Sequence, residues 1–431
     1  MNAIKRLFPQ QLKNIYHLVR AIVANVRYGF PSKKIKVIGI TGTNGKTTTT
    51  QMVTRILEEA GEKVAMASTI NFKIGEKEWI NATKYTTLSP FSVQKFILQA
   101  VNAGCEYLVL ETSSHSLDQY RVWGVAYDTA VITNVTREHL DYHDTMKKYR
   151  DAKKKLFEKV TKNKGTIIVN LDMEEPEEFL SFCAGRKIAY TTKMQNDNTE
   201  FETIRPENIE LDIDHSNFIL QGIGFKLNLP GMFNVENALA ATCVGLSENI
   251  SLENISKTLS RMERVPGRFE LVANDMGISI IIDYAVTPDS LEKLYELIRN
   301  VRKNPCNIGK NSQIIAVFGS CGERDRGKRP IMGEIVSKSA DIVVITNEDP
   351  YCEDPQRIID EVASGVKNKI EGDNFLKIMD RREAIKKALT LANPGDIVVV
   401  TGKGAEETMA IGKERIPWNE RKVIEEVLRE I

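Results

Sequence analysis

The chain has 431 residues, 42% of them hydrophobic and 27% charged, with a formal net charge of +1. That is enough for two or three ordinary soluble domains, and it excludes a globally basic nucleic-acid binder. The six cysteines lie far apart with no CxxC pair, so reduced thiols are expected rather than a cysteine metal site, and no apolar run is long enough to span a bilayer.

The first segment, residues 1–33, is basic and amphipathic. Residues 1–57 contain no Asp or Glu, while Lys5, Arg6, Lys13, Arg20, Arg27, Lys33 and Lys34 precede the first strand. Leu12, Ile15, Leu18, Val19, Ile22, Val23 and Val26 recur at helical spacing. Such a helix either docks its apolar face on its own protein or lies on an anionic membrane surface. Residues 1–33 are too few to hold an independent core.

Lys34–Ile40 reads as a buried strand, followed by a Gly/Thr-rich turn and a helix over Thr47–Gly61. Strands are predicted at Tyr107–Leu110, Thr129–Ile132 and Thr166–Val169, with helices at Ser92–Ala103 and Thr145–Val160. Alternation of this kind implies a mainly parallel sheet covered by helices. Residues 185–230 read as a small β excursion within the same domain, and a helix runs from about Val235 to Leu246. The pattern breaks near Val265–Arg268, which puts the domains at 34–263 and 264–431. Beyond it, strands at Ile278–Tyr284, Gln313–Phe318, Asp341–Thr346 and Asp396–Val400 build a second, Rossmann-like α/β domain.

The strongest motif is Gly39-Ile40-Thr41-Gly42-Thr43-Asn44-Gly45-Lys46-Thr47-Thr48. Between a strand and a helix, its glycines let backbone N–H groups face phosphate oxygens. Lys46 supplies charge for the terminal phosphates and Thr47 a hydroxyl for Mg2+. Ile40 departs from the usual first glycine. Glu111 ends a buried strand, where a carboxylate either meets a ligand or caps the next helix. His139 follows another strand end; beside Thr47 and Glu111 it is a candidate metal ligand.

These residues, taken with others, resemble the Mur ligase family, and most of all its MurE type. Residues 39–48 are similar to that family's ATP loop. Glu111–Leu117 with Gln119 and Arg121 resembles EVSSHSL. Asn134–His143 running on to Lys153–Phe157 resembles TNLTRDHLDYH…AKxxLF, and Leu229–Asn237 resembles LPGxFNxxN. Asp283-Tyr284-Ala285, Gly322–Asp325 with Lys328-Arg329-Pro330, and Gly402-Lys403-Gly404 follow in the family's order. The resemblance covers about residue 34 onward and implies a central P-loop-type domain plus a C-terminal α/β domain.

It also implies an activity. Such ligases phosphorylate a carboxylate with ATP, and an amine then attacks the acyl phosphate to give an amide, ADP and phosphate. By resemblance, Gly42, Thr43, Asn44, Gly45, Lys46, Thr47, Thr48, Asn234, Asn237, Arg268 and Asp283 contact ATP, the last two from across a closing cleft. Thr47, Glu111, His139 and Lys153 hold Mg2+, Lys153 as a carbamate; the alternative, which the resemblance disfavours, is Lys153 as one solvated residue of a lysine run. Thr86, Thr87, Ser113, Gln119 and Arg121 match acceptor-binding positions, and Glu348, Asp349, Tyr351, Gly402 and Glu406 amino-acid-binding ones. The expectation is a cytoplasmic monomer, with peripheral contact to the inner membrane face through residues 1–33, making cell-wall peptide bonds.

Three departures qualify it. The family's N-terminal uridine-binding domain has no counterpart before Lys34, which favours a lipid-linked or nucleotide-free acceptor. The DNPR motif of diaminopimelate-adding members reads Glu348-Asp349-Pro350-Tyr351, and a phenol cannot replace a bidentate guanidinium. That disfavours diaminopimelate and leaves room for a basic or small amino acid such as lysine. Val286 and Ala405 replace histidines. Rival readings are a folylpolyglutamate, polyglutamate or cyanophycin-type ligase, opposed by SSHSL and HLDYH, and a non-catalytic nucleotide-binding regulator, opposed by the intact Lys46, Thr47, Glu111, His139 and Lys153.

Overall fold

The structure, a computed structural model, describes residues 10–81, 86–194, 200–212, 214–262, 265–303 and 312–431. The boundary expected at 263/264, Cys306, and Lys5 and Arg6 of the basic segment lie outside the described residues.

Nine strands form the first sheet: β1 (Lys36–Thr41), β2 (Val64–Ala67), β3 (Asn71–Ile74), β4 (Lys77–Ile80), β5 (Tyr107–Glu111), β6 (Thr129–Ile132), β7 (Thr166–Asn170), β8 (Arg186–Tyr190) and β9 (Glu202–Ile204). Their order is β4-β3-β2-β5-β1-β6-β7-β8-β9. From β2 to β9 every pairing is parallel; β3 and β4 add an antiparallel edge. Val37, Ile38, Ile40, Leu108, Val109, Val131 and Ile168 are buried, as strands covered on both faces require. One face packs on the helices Lys46–Glu59 and Met232–Ser247, the other on Pro90–Asn102 and Met146–Lys162.

The stretch 185–230 divides, where the sequence predicts one excursion. β8 and β9 continue the main sheet. Only β10 (Glu207–Leu211), β11 (Ser216–Leu220) and β12 (Ile223–Leu227) make a separate antiparallel sheet. The buried run Ile188-Ala189-Tyr190 explains β8: an apolar strand between two layers belongs in the core.

The second sheet contains β13 (Glu270–Val272), β14 (Ser279–Asp283), β15 (Ile314–Phe318), β16 (Ile342–Ile345), β17 (Phe375–Lys377) and β18 (Ile397–Thr401), in the order β13-β14-β18-β15-β16-β17. All pairings are parallel except β13 with β14. It has its own apolar layers on either side, built around Ile281, Leu294, Ala316 and Val399 and around Ile280, Val317, Ile385 and Val398.

The N-terminal helix Gln10–Tyr28 is docked, but not through the branched apolar residues the periodicity singles out. Ala21, Ala24 and Asn25 are the buried positions. Asn25 donates to the carbonyls of Trp123 and Ala21, and Asn14 donates to Asp118. Small residues allow the close approach to the helix Pro90–Asn102, so Ile15, Val19, Ile22, Val23 and Val26 face outward. Among the described residues no helix is long and apolar enough to cross a membrane, and the described cysteines are free thiols.

Candidate active site

The C-terminal ends of β1, β5 and β6 converge beneath the second domain, the usual place for a ligand crevice in an open parallel sheet. The loop after β1 turns back on itself. Gly45 has φ +83°, and a Cβ there would sit 2.2 Å from Asn237 Oδ1. A Cβ on Gly42 would sit 1.8 Å from Thr133 Oγ1. Both positions therefore require glycine. The loop is pinned from β6: Asn44 N donates to Asn134 Oδ1 at 2.9 Å, and Thr133 Oγ1 donates to Asn44 O at 2.6 Å.

A cavity of about 230 Å3 lies above this loop. Its walls bring together Thr43, Asn44, Gly45, Lys46, Thr47, Thr48, Glu111, His139, Asn234 and Asn237 from one domain with Arg268 and Asp283 from the other. Lys46 folds over the loop, its Nζ donating to Thr43 O at 2.8 Å, and burial lowers its pKa. Thr47 Oγ1 donates to Glu111 Oε2 at 3.1 Å. The same carboxylate accepts from Thr69 N at 2.7 Å and Thr69 Oγ1 at 2.9 Å. Glu111 is thus aimed and held while still lining the cavity.

His139 takes a left-handed backbone, φ +57°, at the start of the short helix Leu140–His143. Burial, reinforced by His115, Lys153 and Lys46, lowers its pKa well below the ordinary imidazole value, so the ring is neutral and able to donate a lone pair. Its ring centroid lies 4.6 Å from that of His115. Lys153 does not line the cavity. Its Nζ is buried beneath the loop, donating to Gly42 O at 2.7 Å and lying 4.3 Å from the Tyr149 ring centroid. Burial first, then the charge of Lys46, lowers its pKa well below the lysine value.

The five acceptor candidates form one connected group. Thr87 Oγ1 donates to Glu111 O at 3.0 Å and lies 3.3 Å from Ser113 Oγ. Arg121 donates to Thr87 O at 3.2 Å and to Gln119 Oε1 at 2.9 Å. Thr86 lines the cavity, its Oγ1 lying 3.1 Å from Thr69 Oγ1.

The amino-acid candidates are less exposed to the cleft. Glu348 is buried inside the second domain and accepts from Cys321 Sγ at 2.8 Å. Asp349 pairs with Lys403 at 2.9 Å, and Lys403 also pairs with Glu406. Gly402 packs against Glu348. Tyr351 lies under the Arg324 guanidinium, 5.5 Å from its ring centroid. Of this group Glu406 alone reaches a second cavity of about 110 Å3, lined also by Arg268, Tyr284 and Thr69.

Burial pushes the Asp283 carboxyl up, opposed by Arg268 and by the Phe269 and Ala285 N–H groups that it accepts at 2.8 Å. Sequence reasoning missed Thr69, Thr287, Asp289 and the Glu138–Lys328 pair. Asn44 Nδ2 donates to Asp289 Oδ2 at 2.7 Å, joining the loop to the second domain. The Thr287-Pro288-Asp289 sequence just after Asp283-Tyr284-Ala285 was the available signal.

The family model described as "Mur ligase middle domain" matches residues 40–245, and that described as "Mur ligase, glutamate ligase domain" matches 267–404. The chain is 38% identical over 414 residues to a UDP-N-acetylmuramoyl-L-alanyl-D-glutamate--2,6-diaminopimelate ligase of Syntrophomonas wolfei, covering 95% of this chain and 81% of the relative. It is 40% identical over 420 residues to the protein of that name from Clostridium botulinum, with the same coverages. A solved structure of that name superposes with a TM-score of 0.60 at 28% identity, covering 92% of this chain and 78% of the other. The fold is also that of folylpolyglutamate synthase from Mycobacterium tuberculosis, with a TM-score of 0.68 at 16% identity over 89% and 92% of the two chains. Together with the loop and the two α/β sheets, these matches define the class, an ATP-dependent amide-forming ligase. The chain belongs to the Mur ligase family.

Proposed function

We propose that the cleft joins an amino acid to the free carboxylate of a muramyl-peptide-type acceptor. The single observation carrying this reading is the cavity that collects Lys46, Thr47, Glu111 and His139 on one wall and Arg268 and Asp283 on the other. The acceptor carboxylate attacks the γ-phosphorus, the Pγ–O bond to ADP breaks, and an acyl phosphate forms. The amine nitrogen then attacks the acyl carbon; C–N forms, C–O breaks, phosphate leaves and the nitrogen sheds a proton. Two anions must approach each other in the first step, so Lys46 and the loop N–H groups act on the migrating phosphoryl group. Thr86, Thr87, Ser113, Gln119 and Arg121 are proposed to orient the acceptor. Closure between the domains keeps water from the acyl phosphate.

Mg2+ suits the donors present. It takes few protein ligands and otherwise keeps water and phosphate oxygens. Thr47 and Glu111 offer oxygens 3.1 Å apart, and neutral His139 offers a nitrogen on the same cavity wall. When bound, the ion would neutralise phosphate charge. Lys153 is proposed as a carbamate: burial favours the uncharged amine, the form that adds carbon dioxide.

The relatives are named for diaminopimelate. Here Tyr351 replaces the expected arginine, and a basic or small amino acid such as lysine remains the proposed nucleophile. The test is phosphate release from ATP with each amino acid against muropeptide, UDP-linked and lipid-linked acceptors. Release requiring both an acceptor and one amino acid supports the reading; release indifferent to both ends it. Preference for diaminopimelate over lysine would assign the second carboxylate to Arg324 and overturn the lysine preference.

A further inference from the structure

The helix Gln10–Tyr28 has one face that no described residue covers. Ile15, Val19, Ile22, Val23 and Val26 stand at i, i+4, i+7, i+8 and i+11, which at 3.6 residues per turn is a single stripe. Their exposures are 57%, 54%, 37%, 51% and 66%, and Tyr16 beside them is 59% exposed. Isolated exposed apolar residues are ordinary, but a continuous stripe is an interaction surface.

The stripe is held in place. Ala21, Ala24 and Asn25 bury the opposite face, Asn14 and Asn25 make the hydrogen bonds described above, and Arg20 lies 5.9 Å from the Phe91 ring centroid. Its helix therefore cannot simply roll the apolar side inward.

Charge decides what covers it. Lys13, Arg20 and Arg27 recur every seven residues along one flank of the stripe, and Lys33 and Lys34 are exposed just beyond the helix. No acidic residue occurs before Glu58. A second copy of the same helix would bring cations against cations. An apolar face with a wholly cationic flank, and a tyrosine at the rim, matches the interface of a bilayer containing anionic lipid. We propose that this face of the N-terminal helix docks the protein peripherally on an anionic membrane surface. The docking is independent of which reaction the cleft performs, because its readout is partitioning. On its packed side the helix reaches Asp118 through Asn14.

The test is co-sedimentation of the full chain with vesicles of phosphatidylcholine alone or mixed with phosphatidylglycerol, each with a vesicle-free control. Expected is recovery with the anionic vesicles at least about tenfold above the neutral ones, declining as salt rises. Val19→Glu with Val23→Glu should abolish it, and Arg20→Gln with Arg27→Gln should weaken it. These side chains are exposed or partly so, and unchanged circular dichroism would show the fold intact. Recovery in the supernatant, equal binding to neutral vesicles, or binding untouched by the Val19/Val23 pair would overturn the proposal. So would a vesicle-free dimer in sedimentation equilibrium that the same pair dissolves, since the face would then belong to a second copy.

Discussion

Lys328, from the second domain, sets its ammonium 3.1 Å from Glu138, the residue before His139 on the first domain. Both side chains are buried, and Lys328 also donates to Val286 O at 2.9 Å. The pair is a latch across the cleft whose first-domain half is covalently next to a candidate metal ligand. Removing one partner of a buried ion pair strands the other charge, at about 3–5 kcal/mol. Because Lys328 can escape to water only if the domains part, Glu138→Ala is expected to open the cleft. Small-angle scattering should give a larger radius of gyration and kinetics a higher KM for ATP. A variant with the wild-type scattering curve and KM would show that the latch does not govern closure.

Lys46→Ala removes the cation over the loop together with its bond to Thr43 O. The expected loss is about 10²–10³ in kcat, the scale for one electrostatic contact to a transition state. Thermal unfolding should change little. Phosphate release in the presence of acceptor and amino acid measures it, and a loss confined to KM would move Lys46 from the phosphoryl group to substrate binding.

Lys153→Ala should lose nearly all turnover and recover part of it with added short carboxylates, which can occupy the vacated volume as anions. Lys153→Arg keeps a donor for Gly42 O, 2.7 Å from the lysine nitrogen, but cannot form a carbamate. It should stay inactive while folding normally. Unchanged turnover in either variant removes the carbamate reading.

Gly45→Ala would force a Cβ to 2.2 Å from Asn237 Oδ1 at φ +83°. Strain of this kind costs on the order of 1–3 kcal/mol. ATP binding by calorimetry should weaken by about five- to 150-fold on that scale. Intact affinity would mean that Asn237 moves aside and is not part of the nucleotide's wall.

The histidine cluster is expected to lower stability in acid. Burial first, then neighbouring cations, takes His115 down to about 3, and burial takes His143 down to about 4, from an ordinary 6.5. The unfolded chain therefore binds protons that the native state refuses. Stability from this source is full above pH 6.5 and lost progressively as pH falls toward about 4 for His143 and about 3 for His115. Thermal melts from pH 7.5 to about 4.5 should show a falling Tm. His143→Gln, which retains a partner for Ser114 Oγ at 3.1 Å, should flatten the slope; an equally steep decline would place the acid sensitivity elsewhere.

Local periodicity and motif order were enough for the strand–loop–helix around residues 36–59, for the two parallel sheets, and for putting Glu111 and His139 after the two strands that flank β1. Those features are written in contiguous residues: β-branched runs, glycines required by a turn, a cap three residues before a donor. The helix predicted at Ser92–Ala103 begins at Pro90 because Ser89 accepts from Ser92 N, a difference that capping decides. Thr69's grip on Glu111, Asp289's on Asn44 and Lys328's on Glu138 were not legible, because each joins residues 42, 245 and 190 positions apart with no repeating pattern between them. The sequence by itself determined that the N-terminal helix is amphipathic and basic. Only the tertiary structure decided which face is free, since close packing selected the small Ala21 and Ala24 for the seam and left the larger apolar stripe to the outside.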